Sequence, residues 1–578
     1  MTFKLILFLI LISFVTGEGM AQTNILSTNG EAEKIMKGNY NPIMYKASKV
    51  IDHPDSISRG IISRVSPDSI HAYLEKLQSF KNRNTGADTV SKIHGIGAAR
   101  RWVYSKFAQI SAIHENRLIP SYLQFDMGIC GMGRHKNIFA VLPGTDTTDK
   151  SVILIEGHID SRCNGVCDTA CLAEGMEDNG SGTALVMELA RVMSKYSYHH
   201  TLVFLITIGE EQGLYGAEAF ADYVKLKGIK VKAVLNNDVI GGIICGNTAS
   251  APGCSGAGSI DSTHVRLFSF GGFDSFHKGL SRYVKLQYTS RIKPTAKVPM
   301  TINIMTPEDR TGRGGDHIPF RNQLIPAIRF TAANENGDAN VASGSYKDRQ
   351  HTQADILGVD TNNDKIIDSF FVDFNYLARN TVINGNAAGM MGISPNTPDF
   401  TVTTNWDRKL KVTITTQTQY QKYKVGLRTL TNDWDSVYTF TGTSISIDVM
   451  PANYSISVAS VNNRGVESLF SKEILTNVLG VETPSNPFKS IELLQNQPNP
   501  SDEATMITVM VNAPMGNKKA FISISDLEGK QVEQIPIELN LGINEVQYNH
   551  GYHRTGTYIY TLLIDGVPIQ SKKMMFIY

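Results

Sequence analysis

A run of strand-forming residues, "VILIEG" at 152–157, leads into His158, Ile159 and Asp160. If the strand continues, alternation sets His158 and Asp160 on one side of the backbone. A histidine and a carboxylate two apart form a weak motif, and a surface loop explains them as well. Four other segments change the weighing. "GMEDNGSG" sets Asp178 just ahead of a helix, and "LITIGEEQGLYG" sets Glu210 and Glu211 just after a strand. "LNNDVIG" ends a strand on Asp238, and "KDRQHTQAD" supplies His351. Each alone has an ordinary explanation: Asp178 as a helix cap, the glutamates as solvated loop residues, His351 as a loop histidine. Adjacent carboxylates right after "LVFLITI" are nevertheless costly to bury unless positive charge meets them. Coincidences of this kind at one strand end after another point to a single site.

The chemistry on offer is that of divalent metal. The imidazoles of His158 and His351 with the carboxylates of Asp178, Glu211 and Asp238 form a mixed N/O set that suits zinc. One carboxylate can bridge two ions about 3.5–4 Å apart, with a water clamped between them. A carboxylate that binds no metal can act as general base. Glu210 and Glu211 can divide these jobs, because neighbouring side chains diverge. Asp160 then orients the His158 ring from behind.

Such residues need a scaffold that brings strand ends together. Helical spacing appears at 66–80, capped by Ser66 or Asp68, and at 95–110, 181–196 and 216–226. Between these lie strand-like runs at 137–144, 152–157, 202–208, 233–238 and 326–330. Continuous apolar strands alternating with amphipathic helices predict an α/β fold, its mostly parallel sheet flanked by helices. Sites in such folds form at the carboxyl ends of strands. Residues 22 to about 60 are polar and read as an irregular, extended segment. Beyond about residue 390 the period becomes two and helical signals vanish, so two small β-sandwich domains are expected.

These motifs resemble the dizinc exopeptidase family that includes bacterial leucyl aminopeptidases, glutamate carboxypeptidase II and glutaminyl cyclases. The ordered set HxD, DN-x-SG, GEE-x-G-x-x-G, D-x-IG, DH-x-PF and HT-x-x-D carries the resemblance over roughly residues 65–385. It implies two Zn2+ with Asp178 as the bridging ligand. His158 and Asp238 complete one metal position, Glu211 and His351 the other. It makes Glu210 the base and Asp160 the support, and sets Asp316 and His317 in the lining of the substrate site. The implied activity is zinc-dependent exopeptidase, aminopeptidase first, acting on peptides. A glutaminyl cyclase is the alternative from another reaction class, but cyclases usually lack the Asn of Asp178-Asn179-Gly180-Ser181-Gly182. A carboxypeptidase would use Arg310 and Arg313 for a substrate carboxylate. Transferrin receptors share the scaffold without a complete ligand set, whereas every ligand is present here. The insert "CNGVCDTAC" between His158 and Asp178 departs from the family.

The chain has 578 residues, too many for one core. Its 55 basic and 54 acidic residues give a net charge of +1, with no case for nucleic acid. Lys4, an apolar run from Leu5 to Val15 and Gly19-Met20-Ala21 read as a signal peptide cut after Ala21. No later run reaches the length of a membrane span, so no transmembrane segment is expected after cleavage. Export permits disulfides, and six cysteines fit three bridges. Cys245 and Cys254 read as a local pair, while Cys130, Cys163, Cys167 and Cys171 stay open. Trp406, Tyr423 and Tyr454 give 394–478 a resemblance to a fibronectin type III domain. "QNQPNP", "ISISDLEGKQV", "GTYIYTLL" and Lys572-Lys573 resemble the C-terminal sorting domain of type IX secretion substrates. The expected organisation is a signal peptide at 1–21, a zinc peptidase domain at 22–390, a fibronectin-like domain at 394–478 and a sorting domain at 488–578. The product would be secreted or held at the cell surface, through the periplasm and the type IX machinery.

Overall fold

The computed structural model describes residues 22–577 apart from 147, 245–258, 272–274, 310–313, 335–348, 406–407, 417–419, 430, 451, 479–490, 502–503, 517, 528 and 551–554. The signal-like leader, Cys245 and Cys254, Arg310 and Arg313, and Trp406 lie outside the described residues.

One nine-stranded sheet carries the first domain. Its strands are β1 (Thr23–Ser27), β2 (Ile119–Ile129), β3 (Met132–Leu142), β4 (Val152–His158), β5 (Thr201–Thr207), β6 (Val231–Asn237), β7 (His264–Ser269), β8 (Thr301–Ile304) and β9 (Ala327–Ala332). They lie in the order β1-β2-β3-β5-β4-β6-β9-β7-β8. The middle is parallel: β4 pairs with β5 and β6, and β6 with β9. Every residue of β4, β5 and β9 is buried, as expected for strands covered on both faces. Helices Gly182–Met193 and Tyr215–Leu226 are the crossovers that return the chain to the same edge.

Antiparallel pairs flank this middle and β8 at the far edge runs parallel to β7, so the sheet is mixed. β2 and β3 form a hairpin whose two turn residues, Cys130 and Gly131, both have positive φ (49° and 80°). That is the two-residue turn whose twist matches its strands, and it leaves no room for a crossover helix. β3 also runs antiparallel to β5, and β7 to β9.

Residues 22–60 correct the sequence reading. They are ordered elements rather than an irregular arm. β1 extends the sheet edge beside β2, and helices Gly30–Met36 and Pro54–Arg64 bury Ala32, Ile35, Met36, Ile57 and Ile61 in the main core. The first helix has only seven residues, too few to display a helical period. The second starts on Pro54, with His53 capping the Asp55 N–H. The 66–80 expectation becomes Pro67–Gln78, with Ser66 rather than Asp68 as the cap. A nineteen-residue helix, Phe374–Gly392, closes the domain. It crosses Gly182–Met193 so closely that a Cβ on Gly385 would sit 2.5 Å from Leu189.

Two sheet pairs follow. Strands Phe400–Asn405, Lys409–Ile414 and Ser444–Asp448 form one sheet, and Ser436–Thr441, Lys422–Arg428, Ala452–Val461 and Ile474–Val478 the other. They enclose a core that includes Leu410, Val412, Val425, Ile456 and Val458. Residues 491–576 repeat the three-plus-four arrangement around Ile507, Val509, Ile522, Tyr560 and Leu562. The first pair docks on the first domain's helix Phe276–Gln287 through buried charge. Arg282 and Arg428 share the Glu473 carboxylate, and Gln287 Nε2 donates to Glu467 at 2.9 Å. Among the described residues no helix is long and apolar enough to cross a membrane.

Candidate metal centre

The parallel middle of the sheet gathers its carboxyl ends at one edge. His158 is the last residue of β4, Asp238 follows β6, and Glu210 and Glu211 follow β5. Asp178 lies on the turn Met176–Ser181, which feeds the helix behind β4, and its peptide bond to Asn179 is cis. All six sequence-predicted ligand and base residues come together there.

His158 is fully buried. Its Nδ1 lies 3.1 Å from the Asp160 carbonyl and 3.4 Å from the Asp160 carboxylate. Nε2 is thereby turned toward Asp178 Oδ1 at 3.3 Å, Asp238 Oδ1 at 3.5 Å and Glu210 Oε2 at 3.9 Å. His351 Nε2 faces the other Asp178 oxygen, Oδ2, at 3.0 Å, and Glu211 Oε2 at 3.1 Å. Asp178 therefore stands between the two imidazoles, one oxygen to each.

Asp160 does more than orient a ring. Its carboxylate accepts from Thr85 Oγ1 at 3.2 Å and from the backbone N–H groups of Glu210 (3.4 Å) and Glu211 (3.2 Å). One buried carboxylate thus fixes the histidine and the double-glutamate loop together.

Three further residues hold the cluster and were not assigned from sequence. Asp355 accepts the N–H of Glu177 through Oδ1 and that of Asp178 through Oδ2, each at 2.9 Å. Arg329 on β9 pairs with Asp238 Oδ2 at 3.0 Å and is itself held by Asp309 at 2.7 Å. Arg162 reaches Glu211 and His351. Signals were present for two of them: Asp355 ends the HT-x-x-D motif, and an arginine within "AIRF" is a charge on a buried strand.

Asp316 and His317 are fully buried, and their bonds are to protein. Thr207 donates to Asp316 and, at 2.9 Å, to Glu156; His317 Nε2 lies 3.3 Å from the Glu308 carbonyl. The pair is packed in the interior next to the strands that carry the site. The insert is stapled by Cys130–Cys167 and Cys163–Cys171. It borders the glutamate loop, where Gln212 Nε2 donates to the Val166 carbonyl at 3.1 Å.

Electrostatics show what the cluster lacks in protein terms. Burial disfavours a charged His158, yet Glu210, Asp160, Asp178 and Asp238 hold its pKa well above the usual imidazole value. Asp178 lies well below the carboxylate range despite burial, because both histidine rings face it. Burial drives Glu210 well upward; His158 opposes the shift, and Asp238, Glu211 and Asp316 add to it. Burial and neighbouring carboxylates make Glu210 and Glu211 hold protons tightly, and divalent cations satisfy the same demand.

The donor set fits zinc. Nε2 of His158 and Oε1 of Glu211 are buried with no hydrogen bond to satisfy them. Ligand atoms converge within 4.8 Å in two groups, His158–Glu210–Asp238 and Asp178–Glu211–His351. The first group takes in Glu210, but Asp178 Oδ1 approaches His158 Nε2 more closely than Glu210 does, 3.3 against 3.9 Å. Asp178 thus lies between both groups, and Glu210 stands at the side of the first.

Known proteins agree with this chemistry. The profile of Peptidase family M28 matches residues 137–369, which contain every residue of the cluster except Thr85. A probable zinc metalloprotease of Leptosphaeria maculans is 31% identical over 395 residues, 65% of this chain and 87% of that one. Another, of Pyricularia oryzae, is 32% identical over 357 residues, 59% of this chain and 67% of that one. Among solved structures, the LapA aminopeptidase of Legionella pneumophila aligns with a TM-score of 0.42 and 19% identity, covering 60% of this chain and 76% of that one. With most of a metalloprotease spanned at that identity, and the profile lying across the strands that build the cluster, the chain belongs to peptidase family M28 and is a zinc metallopeptidase.

Proposed function

We propose that the chain is a secreted exopeptidase that holds two zinc ions and removes N-terminal residues from peptides. The observation that supports this reading is Asp178 set between two imidazoles, with Glu210 the farthest from His158 Nε2 of the three carboxylates that face it. Asp178 is the shared ligand. His158 and Asp238 complete one position, Glu211 and His351 the other. Zinc bound there supplies Lewis acidity toward the scissile carbonyl and makes water a nucleophile at neutral pH. Glu210 takes the proton of the attacking water and returns it to the leaving amine. Asp160, Asp355 and Arg329 keep donors and base in register.

Asp178-Asn179 supports hydrolysis over cyclisation, since the related cyclases usually lack the Asn. A panel of aminoacyl, N-blocked and N-terminal glutamine substrates tests the reading. Free aminoacyl substrates should be cleaved and N-blocked ones spared. Ring closure of N-terminal glutamine without hydrolysis would make the protein a cyclase, and cleavage of N-blocked peptides from the far end a carboxypeptidase.

Export by the leader and sorting by the last domain belong to the same proposal, supported by the ordered QNQPNP, GTYIYTLL and Lys572-Lys573 motifs. The secreted form should begin near Gln22 and lack the last eighty or so residues. Mass spectrometry of the medium checks this; full-length chain there, or normal export after deletion of 488–578, would refute it.

A further inference from the structure

Arg83 is fully buried in the segment between helices Pro67–Gln78 and Gly95–Ile113, upstream of the residues that the family profile matches. Each of its three guanidinium nitrogens donates to a different backbone carbonyl. Nε reaches Ile159 at 2.8 Å, Nη2 reaches Gly175 at 2.9 Å, and Nη1 reaches Glu174. Ile159 lies between His158 and Asp160, at the end of β4. Glu174 and Gly175 lead into the turn Met176–Ser181 that carries Asp178. The disulfide-closed insert separates these two stretches in sequence, so no strand or helix of their own sets their spacing. One rigid fork joins them instead.

The neighbours of Arg83 grip the same region. Thr85 Oγ1 donates to the Asp160 carboxylate at 3.2 Å, Asn82 Nδ2 to the Cys171 carbonyl at 2.7 Å, and Asn84 Nδ2 to the Val166 carbonyl at 2.8 Å. Burial brings the Arg83 pKa down to about 10, against the fields of Asp355, Asp160, Glu174 and Asp178, so the side chain stays charged at neutral pH. The field of that charge opposes a second cation nearby. Any gain it brings to metal binding therefore comes from geometry.

We propose that Arg83 is a positioning residue for the metal centre: by holding the Ile159, Glu174 and Gly175 carbonyls it sets the spacing of His158 and Asp178 and so strengthens zinc binding. The proposal rests on the chain being a zinc metallopeptidase and not on the number of ions it holds.

The test titrates metal-stripped full-length protein with zinc against a competing chromophoric chelator. Arg83→Lys keeps the charge, but an ammonium is a point donor that cannot span three carbonyls, so zinc affinity should fall about tenfold or more. Arg83→Met should lower it at least as far, although loss of the charge alone would tighten binding. Arg117→Met is the control. Arg117 is also buried and donates to backbone carbonyls, those of Ser194 and Tyr196, beyond the far end of helix Gly182–Met193. Its loss should lower Tm and leave zinc affinity unchanged. Unchanged affinity in folded Arg83→Lys, tighter binding in Arg83→Met, or an equal loss in Arg117→Met overturns the proposal. Arg83→Lys carries the test alone if Arg83→Met does not fold. An unaltered protein that binds no zinc sinks the metal reading and this proposal with it.

Discussion

Glu210→Gln should lower kcat by about 10²–10⁴-fold while zinc content and Tm stay those of the unaltered protein. The substitution keeps size and hydrogen bonding and removes only the ability to accept a proton. The backbone should not move, because Asp160 holds the Glu210 and Glu211 N–H groups rather than their side chains. Metal should stay, because the Glu210 oxygen is the farthest from His158 Nε2 of the three carboxylates that face it. Glu211→Gln is the informative partner. Glu211 Oε2 lies 3.1 Å from His351 Nε2, so its loss weakens coordination and should lower zinc occupancy. Steady-state kinetics and metal content measured on both variants separate the roles. A Glu210→Gln protein that loses zinc, beside a Glu211→Gln protein that keeps it and loses rate, would reverse them. Near-normal turnover in Glu210→Gln would remove the base from the mechanism altogether.

Asp178→Asn should release both zinc ions and reduce activity to background. Each Asp178 oxygen faces a different imidazole, so an amide keeps one good ligand atom and lacks the charge that balances two dications. The fold should survive, since Asp355 grips Asp178 by its backbone N–H and the strands around it are buried and apolar. Metal content with circular dichroism on the same sample checks this. A folded Asp178→Asn protein that still holds two zinc ions would mean that the residue is not shared.

Much of this was legible in residue order. The apolar runs at 152–157, 202–208 and 233–238 are strands buried on both faces, and near their ends stand His158, Glu210, Glu211 and Asp238, which the motifs indicated as candidates. Burial on both faces writes itself into composition, which is why these strands read clearly. Residues 22–60 did not, because their short helices present few apolar positions and gain their order only by packing on the core. Helix Phe374–Gly392 was hidden for the opposite reason. It is rich in Asn and Gly, and its polar side chains are spent inside: Asn384 bonds Asn237 at 2.7 Å, and Asn380 the Ile240 carbonyl at 3.1 Å. Candidate ligands stood out because strand ends concentrate them. Their supports did not, because Asp355 meets the Asp178 N–H from 177 residues away and Arg329 meets Asp238 across the sheet. The pairing of Cys130 with Cys167 likewise depends on a hairpin turn meeting the insert, a contact that spacing does not encode.

The most direct measurement is zinc per chain on a purified, active preparation, followed through chelation and reconstitution. The two-zinc reading predicts about two ions per chain, loss of aminopeptidase activity as they are removed, and its return when zinc is restored. Full activity in a preparation that holds one ion, or none, would contradict it.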